Sequence, residues 1–332
     1  MSPSTPLNYD SPQALRRFLD ERGLGMRKMY GQNFLVNPKA RTMLLDALDV
    51  ETGARVWEIG PGLGAMTTGI LERGAAVTAF EIDKGFIAVL AELFGGNAAF
   101  TLVPGDVLKT WPGICAPPGR DDPSGRGDYL LGNLPYTIGA ALLADFIGKN
   151  RFFKRMVVTV QKEVARRMAA RPGSKDYSSF SVLCASAYRV TPLSVLKGAS
   201  FYPEPRVDSQ GVRLDLRTDI DPAAYPVWFK PLMRCLFSSR RKTVKNNLQT
   251  FVSSVVNVPG LSVTGLSIAE LSAEALAAAG IPSNERAEQL DLAAFVRLSA
   301  MLERVLKERG AVGKGDGVCR AAMTETEEAR VR

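Results

Sequence analysis

The sequence predicts an α/β fold in which a mostly parallel sheet, covered by helices on both faces, is followed by a small helical domain. Three observations carry that expectation. Short apolar runs near 55–59, 76–81, 99–103, 129–132 and 155–160 alternate with helical patterns, the signature of doubly wound architecture. A glycine-rich turn follows the first of those runs, and beyond about residue 217 helical patterns alternate with Pro and Gly breaks. With 332 residues and 46% hydrophobic content, the chain can bury one large core and a smaller second one.

Taken in order, residues 1–10 read as disordered. Ser11-Pro12 supplies the cap and first turn of a helix reaching about Gly23. Met26 to Leu35 reads as a linker folding over a bound ligand, and Asn37-Pro38 repeats the cap-plus-Pro signal for a helix through Ala47. The strand Val56-Trp57-Glu58-Ile59 enters Gly60-Pro61-Gly62-Leu63-Gly64, and a helix starts near Ala65. Between Pro112 and Gly127 the density of Pro, Gly and charge predicts a mobile surface loop. Gly211 to Leu216 is expected to close the sheet. Residues 309–332, with Gly310, Gly313, Gly315 and Gly317, read as a disordered tail. The expected divisions are an N-terminal extension (1–28) with one helix, the α/β domain (29–216), a helical domain (217–308) and the tail.

Asn133-Leu134-Pro135-Tyr136 follows the apolar run ending at Gly132. An amine conjugated to a ring attacks carbon poorly until acceptors on its N–H groups draw it toward tetrahedral geometry. The Asn133 side-chain oxygen and a neighbouring carbonyl can supply those acceptors while Tyr136 stacks on the ring. Alone, the four residues read equally well as a strand-to-helix turn. Upstream, the glycines at 60, 62 and 64 match neither the dinucleotide fingerprint nor a phosphate loop, but they let a ligand approach the backbone. Glu81 ends the second strand, where a carboxylate can accept both ribose hydroxyls. Asp106, after the third, can accept from an adenine amino group. Together these residues describe a nucleoside-bearing cofactor lying across strand ends.

E-x-G-x-G-x-G, an acid after the second strand, Gly-Asp after the third and Asn-Leu-Pro-Tyr after the fourth resemble S-adenosylmethionine-dependent adenine N6-methyltransferases. The closer resemblance is to the small-subunit ribosomal RNA adenine N6,N6-dimethyltransferases of the rRNA adenine N-6-methyltransferase family. It rests further on Gly31-Gln32-Asn33-Phe34-Leu35, Gln161-Lys162-Glu163-Val164, the segment Phe201 to Ser209, Phe237 to Leu248, and Arg286-Ala287-Glu288-Gln289-Leu290. It spans roughly residues 25 to 305 in the right order. The resemblance implies a Rossmann-like class I methyltransferase fold and S-adenosyl-L-methionine as cofactor. It implies cofactor binding by Asn33, Leu35, Gly60, Gly62, Glu81, Ile82, Asp106, Val107 and Asn133. Asn133, Leu134, Pro135 and Tyr136 would form the catalytic turn, with Tyr136 and Phe201 stacking on a flipped adenine. The implied partner is small-subunit rRNA in a pre-ribosomal particle, methylated twice at each of two adjacent adenosines in the 3′-terminal hairpin loop. Thr137-Ile138-Gly139 departs from the Asn and Ser more often found after the motif, which leaves the next helix's first turn differently hydrogen-bonded.

Composition removes competing chemistries. There is no histidine, so no Ser-His-Asp or Cys-His centre and no histidine-bearing metal site can form. Cys115, Cys184, Cys235 and Cys319 lack C-x-x-C spacing, against a zinc site or disulfide framework. No stretch approaches the roughly 18 apolar residues of a membrane span, and the N-terminus lacks a hydrophobic signal core. A cytoplasmic monomer, with neither membrane nor metal, is the expectation. Net charge is +8, yet residues 151–250 carry 19 Lys or Arg against 7 Asp or Glu, leaving the remainder acidic. Arg240, Arg241, Lys242 and Lys245 are expected on one side of a helix, contacting RNA phosphates. Two alternatives stay in view. One is the large-subunit rRNA adenine methyltransferases that confer macrolide resistance, disfavoured by the second-domain motifs. The other is a catalytically silent RNA-binding assembly factor, disfavoured by the intact Asn133, Glu81 and Asp106.

Overall fold

The first helices begin where side-chain caps meet proline. In the computed structural model, which describes residues 7–26, 32–114, 128–256 and 267–308, α1 (Pro12–Glu21) starts with Ser11 Oγ accepting the Ala14 N–H at 3.2 Å. After β1 (Phe34–Leu35), α2 (Pro38–Leu48) starts likewise, Asn37 Oδ1 accepting from Ala40 at 3.1 Å. Proline at the first helical turn costs no hydrogen bond, because its missing N–H would have no intrahelical partner there. The chain folds as two units, Met1–Ala169 with Ala187–Thr218, and Ala170–Ser186 with Asp219–Arg332.

In the first unit the chain alternates β2 (Arg55–Ile59), α3 (Ala65–Glu72), β3 (Ala76–Glu81), α4 (Lys84–Phe94), β4 (Phe100–Pro104), α5 (Val107–Ile114), β5 (Tyr129–Asn133), α6 (Gly139–Gly148), β6 (Arg155–Gln161) and α7 (Lys162–Met168). The five strands from β2 to β6 are parallel. Two antiparallel strands complete a sheet of order β4-β3-β2-β5-β6-β9-β7, where β7 is Tyr188–Leu196 and β9 is Ser209–Leu216. Between them, β8 (Phe201–Tyr202) pairs antiparallel with β1. Val56, Val77, Tyr129 and Val157 share one buried cluster with Leu44 and Leu48 of α2 and Ile70 of α3. Trp57 faces the other way, its ring 4.8 Å from Phe80, 6.3 Å from Phe146 of α6 and 5.5 Å from Phe153. This alternation buries both faces, as a parallel sheet requires.

The structure departs from the sequence reading in five places. Gly211 to Leu216 does not close the sheet, because β7 lies outside β9 as the edge. β7 carries Pro192 beside a register irregularity, and an edge strand tolerates a residue without an N–H. Residues 7–10 are ordered: Leu7 and Tyr9 pack against Leu15, Leu19, Leu63, Phe86 and Val89, which places α1 in the first unit's own core. α5 runs through Pro112 to Ile114, and only 115–127 of the expected loop lie outside the described residues. Segment 170–186, which enters α8 (Ser179–Ala187), belongs to the second unit. Arg240, Arg241 and Lys242 make the fifth departure, since they occupy a turn and not a helix. The expected tail 309–332 is outside the described residues, as are 1–6 and 27–31.

In the second unit, α9 (Phe229–Leu236), α10 (Val244–Val256), α11 (Ile268–Ala279) and α12 (Leu292–Glu308) bury Leu232, Leu248, Leu276 and Leu298. Phe237 stacks on Phe295 at 5.7 Å, and the Tyr177 hydroxyl donates to the Leu290 carbonyl at 2.9 Å. No helix among the described residues is long and apolar enough to cross a membrane.

Phe146 is fully buried, with its ring 5.2 Å from Trp111 and 5.3 Å from Phe153. Phe146→Ala is therefore expected to lower the unfolding free energy by about 3–5 kcal/mol, measured by urea denaturation; a loss within about 1 kcal/mol would contradict this packing.

Candidate active site

Because β4, β3, β2 and β5 are adjacent and parallel, the residues at or just past their carboxyl ends lie along one rim. Asp106, Glu81, Gly60 and Asn133 occupy those positions, and all four line one cleft of about 1090 Å³, measured out to open solvent. Asn33, Leu35, Gly62, Ile82 and Val107 line it too. Thus every residue expected to bind the cofactor reaches one cavity, at the place where open α/β sheets hold ligands.

Glu81 sits under backbone donors. Its Oε1 accepts the N–H groups of Ile82 (2.8 Å) and Asp83 (2.9 Å), and its Oε2 accepts that of Gly62 at 3.2 Å. Burial still outweighs these donors and pushes the carboxyl up to about 7. Glu58, in the middle of an apolar strand, is 2% exposed and lines the same cleft. Desolvation raises it to about 7 as well, although the Thr67 hydroxyl donates to its Oε2 at 2.6 Å. Sequence reasoning assigned Glu58 no role; the available signal was an acid inside an otherwise apolar strand.

Two further groups are held by the backbone. Asp106 Oδ1 accepts the Leu108 N–H at 3.0 Å at the start of α5. Gly60 has φ of 66°, and a Cβ there would meet no atom within 4 Å, so its bare backbone opens the floor of the cleft. Asn133, the last residue of β5, donates from Nδ2 to the Asn33 carbonyl at 2.7 Å. That bond leaves its Oδ1 as the acceptor. The departing Thr137-Ile138-Gly139 segment has no side-chain cap on α6, and the Pro135 carbonyl instead accepts the N–H groups of Ile138 (3.1 Å) and Gly139 (3.0 Å).

Phe201 and the basic cluster are placed differently from expectation. Tyr136 is half-buried and does not line the cleft; its hydroxyl bonds Ser209 Oγ at 2.6 Å, and burial raises its pKa. Phe201 is 2% exposed and belongs to the core cluster with Leu35 and Val157, so its ring is packing material here and not a free stacking face. The sequence cannot separate these roles, because a Phe before a proline-rich turn serves either. Arg240, Arg241 and Lys242 do not lie along a helix: they occupy the exposed turn between α9 and α10, and only Lys245 is in the first turn of α10. Asn247 fixes that turn by donating from Nδ2 to the carbonyls of Leu236 (2.9 Å) and Ser239 (3.2 Å), and Arg240 pairs with Glu288 at 3.1 Å. Cys184 and Cys235 are free thiols; Cys115 and Cys319 are outside the described residues. No metal-holding group of His, Cys, Asp and Glu occurs among the described residues.

A parallel sheet extended by β9 and β7 in antiparallel sense, with a cleft across its carboxyl rim, is the architecture of the class I S-adenosylmethionine-dependent methyltransferases. The cleft fits that cofactor: the bare Gly60 floor admits it, and two buried carboxylates suit a hydroxyl-bearing cation. Residues 23–266 match the family described as ribosomal RNA adenine dimethylase, and the chain belongs to that family. It is 43% identical over 299 residues to the ribosomal RNA small subunit methyltransferase A of Treponema pallidum (strain Nichols), covering 90% of this chain and 99% of that one. The protein of the same name from Treponema denticola is 40% identical over 301 residues, covering 90% and 97%. Among solved structures, a dimethyladenosine transferase from Plasmodium falciparum shares the fold with a TM-score of 0.66 at 24% identity, covering 81% of this chain and 97% of that one. The 23S rRNA methyltransferase ErmE does so with 0.56 at 20%, covering 81% and 99%.

Glu58 and Glu81 hold protons more tightly in the folded protein than at their ordinary value of 4.5. Folding therefore takes up protons between about pH 4.5 and pH 7, and these groups make the unliganded protein less stable as pH rises through that window. Glu58→Gln keeps an acceptor for Thr67 and removes one of the two titrations. Thermal melts across the window should show a shallower fall for Glu58→Gln than for the natural protein, and identical slopes would refute the assignment.

Proposed function

We propose that the protein transfers methyl groups from S-adenosylmethionine to N6 of two adjacent adenosines in the 3′-terminal hairpin loop of small-subunit rRNA, giving N6,N6-dimethyladenosine at each. The substrate is the RNA of a pre-ribosomal particle in the cytoplasm, and the enzyme acts as a monomer. The observation that carries this reading is the locked Asn133 amide, whose Nδ2 is committed to Asn33 at 2.7 Å.

When bound, the cofactor supplies a methyl group on a positively charged sulfur, already activated toward nucleophiles. What remains for the chain is positioning and field. Asn133 Oδ1 accepts one N–H of the target amine. A neighbouring backbone carbonyl of the Asn133-Leu134-Pro135-Tyr136 turn supplies the second acceptor. Together they draw the ring-conjugated lone pair toward the reacting carbon. Glu81 holds the ribose hydroxyls through Oε2, Asp106 the adenine end, and Ile82 and Val107 flank it. Tyr136, tethered to Ser209 at 2.6 Å, presents its ring to the flipped base. Phosphate contacts come from Arg241, Lys242 and Lys245, and from Arg240 where Glu288 leaves it available. Loop adenines cost less to extrude than paired ones, which fits a hairpin-loop target. The proton released by the amine passes to solvent; with no histidine in the chain, no histidine base takes part.

Relatives that carry the small-subunit name at 40% and 43% identity support the small subunit over the large one. Purified small and large ribosomal subunits, each lacking its adenine methylation, would be incubated in parallel with radiolabelled donor, and label is expected in the small subunit alone. Label in the large subunit would overturn the substrate assignment. Asn133→Ala should cut transfer by about 100-fold or more, on the scale of removing one preorganised polar group at a reacting centre, and retained transfer would overturn the role given to Asn133.

A further inference from the structure

The family match begins at residue 23, yet two residues ahead of it line the cofactor cleft. Tyr9 and Leu15 both face the cavity. Tyr9 donates from its hydroxyl to the Leu63 carbonyl at 2.9 Å, inside the glycine-rich turn. Leu15 of α1 is 1% exposed and packs with Leu63, Phe86 and Val89. The segment is anchored along its length. Arg41 pairs with Asp10 and also donates to the Leu35 carbonyl at 2.8 Å, and Arg22 pairs with Glu92 of α4 at 3.1 Å. Burial holds the Tyr9 hydroxyl above its ordinary pKa, against the lowering effect of a hydrogen bond with the Thr68 side chain.

We infer that Tyr9 and Leu15 form a wall of the S-adenosylmethionine site, with Tyr9 as a positioning residue that fixes the glycine-rich turn under the cofactor. The inference rests on the proposed methyltransferase reading. Residues 60–64 form a turn in which every second residue is a left-handed glycine, at φ of 66°, 59° and 89° for Gly60, Gly62 and Gly64. Glycine loses more conformational freedom on ordering than any other residue, so such a turn benefits from an external clamp. The Tyr9 hydroxyl supplies one at Leu63. The ring itself closes the cavity beside Leu63 and keeps water from that side.

Titration calorimetry with S-adenosylmethionine and with S-adenosylhomocysteine would test this on full-length protein. Tyr9→Ala, which removes both ring and hydroxyl, is expected to raise both dissociation constants about 10-fold. Tyr9→Phe, which keeps the ring and removes the hydroxyl with its bonds to Leu63 and Thr68, should raise them about 3-fold, the scale of one modest hydrogen bond. Steady-state assays should show KM for the donor rising with kcat little changed, and the thermal midpoint of unliganded Tyr9→Phe should stay within about 2 °C of the natural protein. Unchanged dissociation constants in both variants would overturn the wall. So would a drop in midpoint that accounts for the whole effect. A natural protein that binds neither ligand would instead defeat the cofactor reading itself, so the two failures are distinguishable.

Discussion

The side-chain amide of Asn133 places one of its two N–H donors on the carbonyl of Asn33, 100 residues earlier in the chain, at 2.7 Å. An asparagine at a strand end carries two hydrogen-bonding faces, and a free amide would present either one to a ligand. The bond to Asn33 fixes which way the amide is turned, with Oδ1 on the side away from that carbonyl as the acceptor. The partner is itself held in place. The next two residues, Phe34 and Leu35, form β1 and pair with Tyr202 and Phe201 of β8, while Gln32 donates to Asp83 at 3.1 Å. The buried Phe201 thereby acquires a definite function in this structure: it holds the strand that holds Asn33, which holds the amide.

Around that fixed acceptor the cleft is electrostatically unfinished. Two carboxyl groups are buried beside it, each raised to about 7 by desolvation, and three backbone N–H groups on Glu81 do not fully offset the cost. An apolar side chain at either position would be easier to bury. A site that keeps both acids in the absence of ligand is destabilised in a way that a cationic, hydroxyl-bearing molecule relieves. Cofactor binding is accordingly coupled to the charge state of Glu58 and Glu81, because the ligand favours the ionised form that burial disfavours.

The parts legible in the sequence were those set by local rules. Strand positions match within a residue or so because each is a short apolar run ended by Gly, Pro or a polar residue such as Glu81, Asn133 or Gln161, and the caps at Ser11 and Asn37 announce their helices. The cofactor rim followed from the strands, since parallel strands in adjacent order bring their ends together whatever the intervening helices do. Features fixed by distant contacts were not legible. β7 is shaped by its edge position, which permits Pro192. Segment 170–186 is assigned by packing, for example Gly173 N–H to the Glu288 carbonyl at 2.7 Å. The basic cluster reads as a helix face until Asn247, buried in α10, is seen holding its turn through Leu236 and Ser239. Tyr9 looked like part of a polar terminus because its partner, Leu63, lies 54 residues away.

A rigid acceptor pair has a consequence for repeated transfer in the proposed reaction. Unmodified N6 carries two N–H groups, enough to engage both Asn133 Oδ1 and a neighbouring backbone carbonyl. After one transfer a single N–H remains, so one acceptor goes unused and the new methyl needs room where the other N–H had been. After two transfers no N–H remains, and neither acceptor has anything to hold. The site therefore grips the unmodified amine most firmly and the dimethylated product least. Release after the second methyl then follows from the acceptor count alone. A histidine base would add nothing to that sequence, which agrees with a chain that contains none.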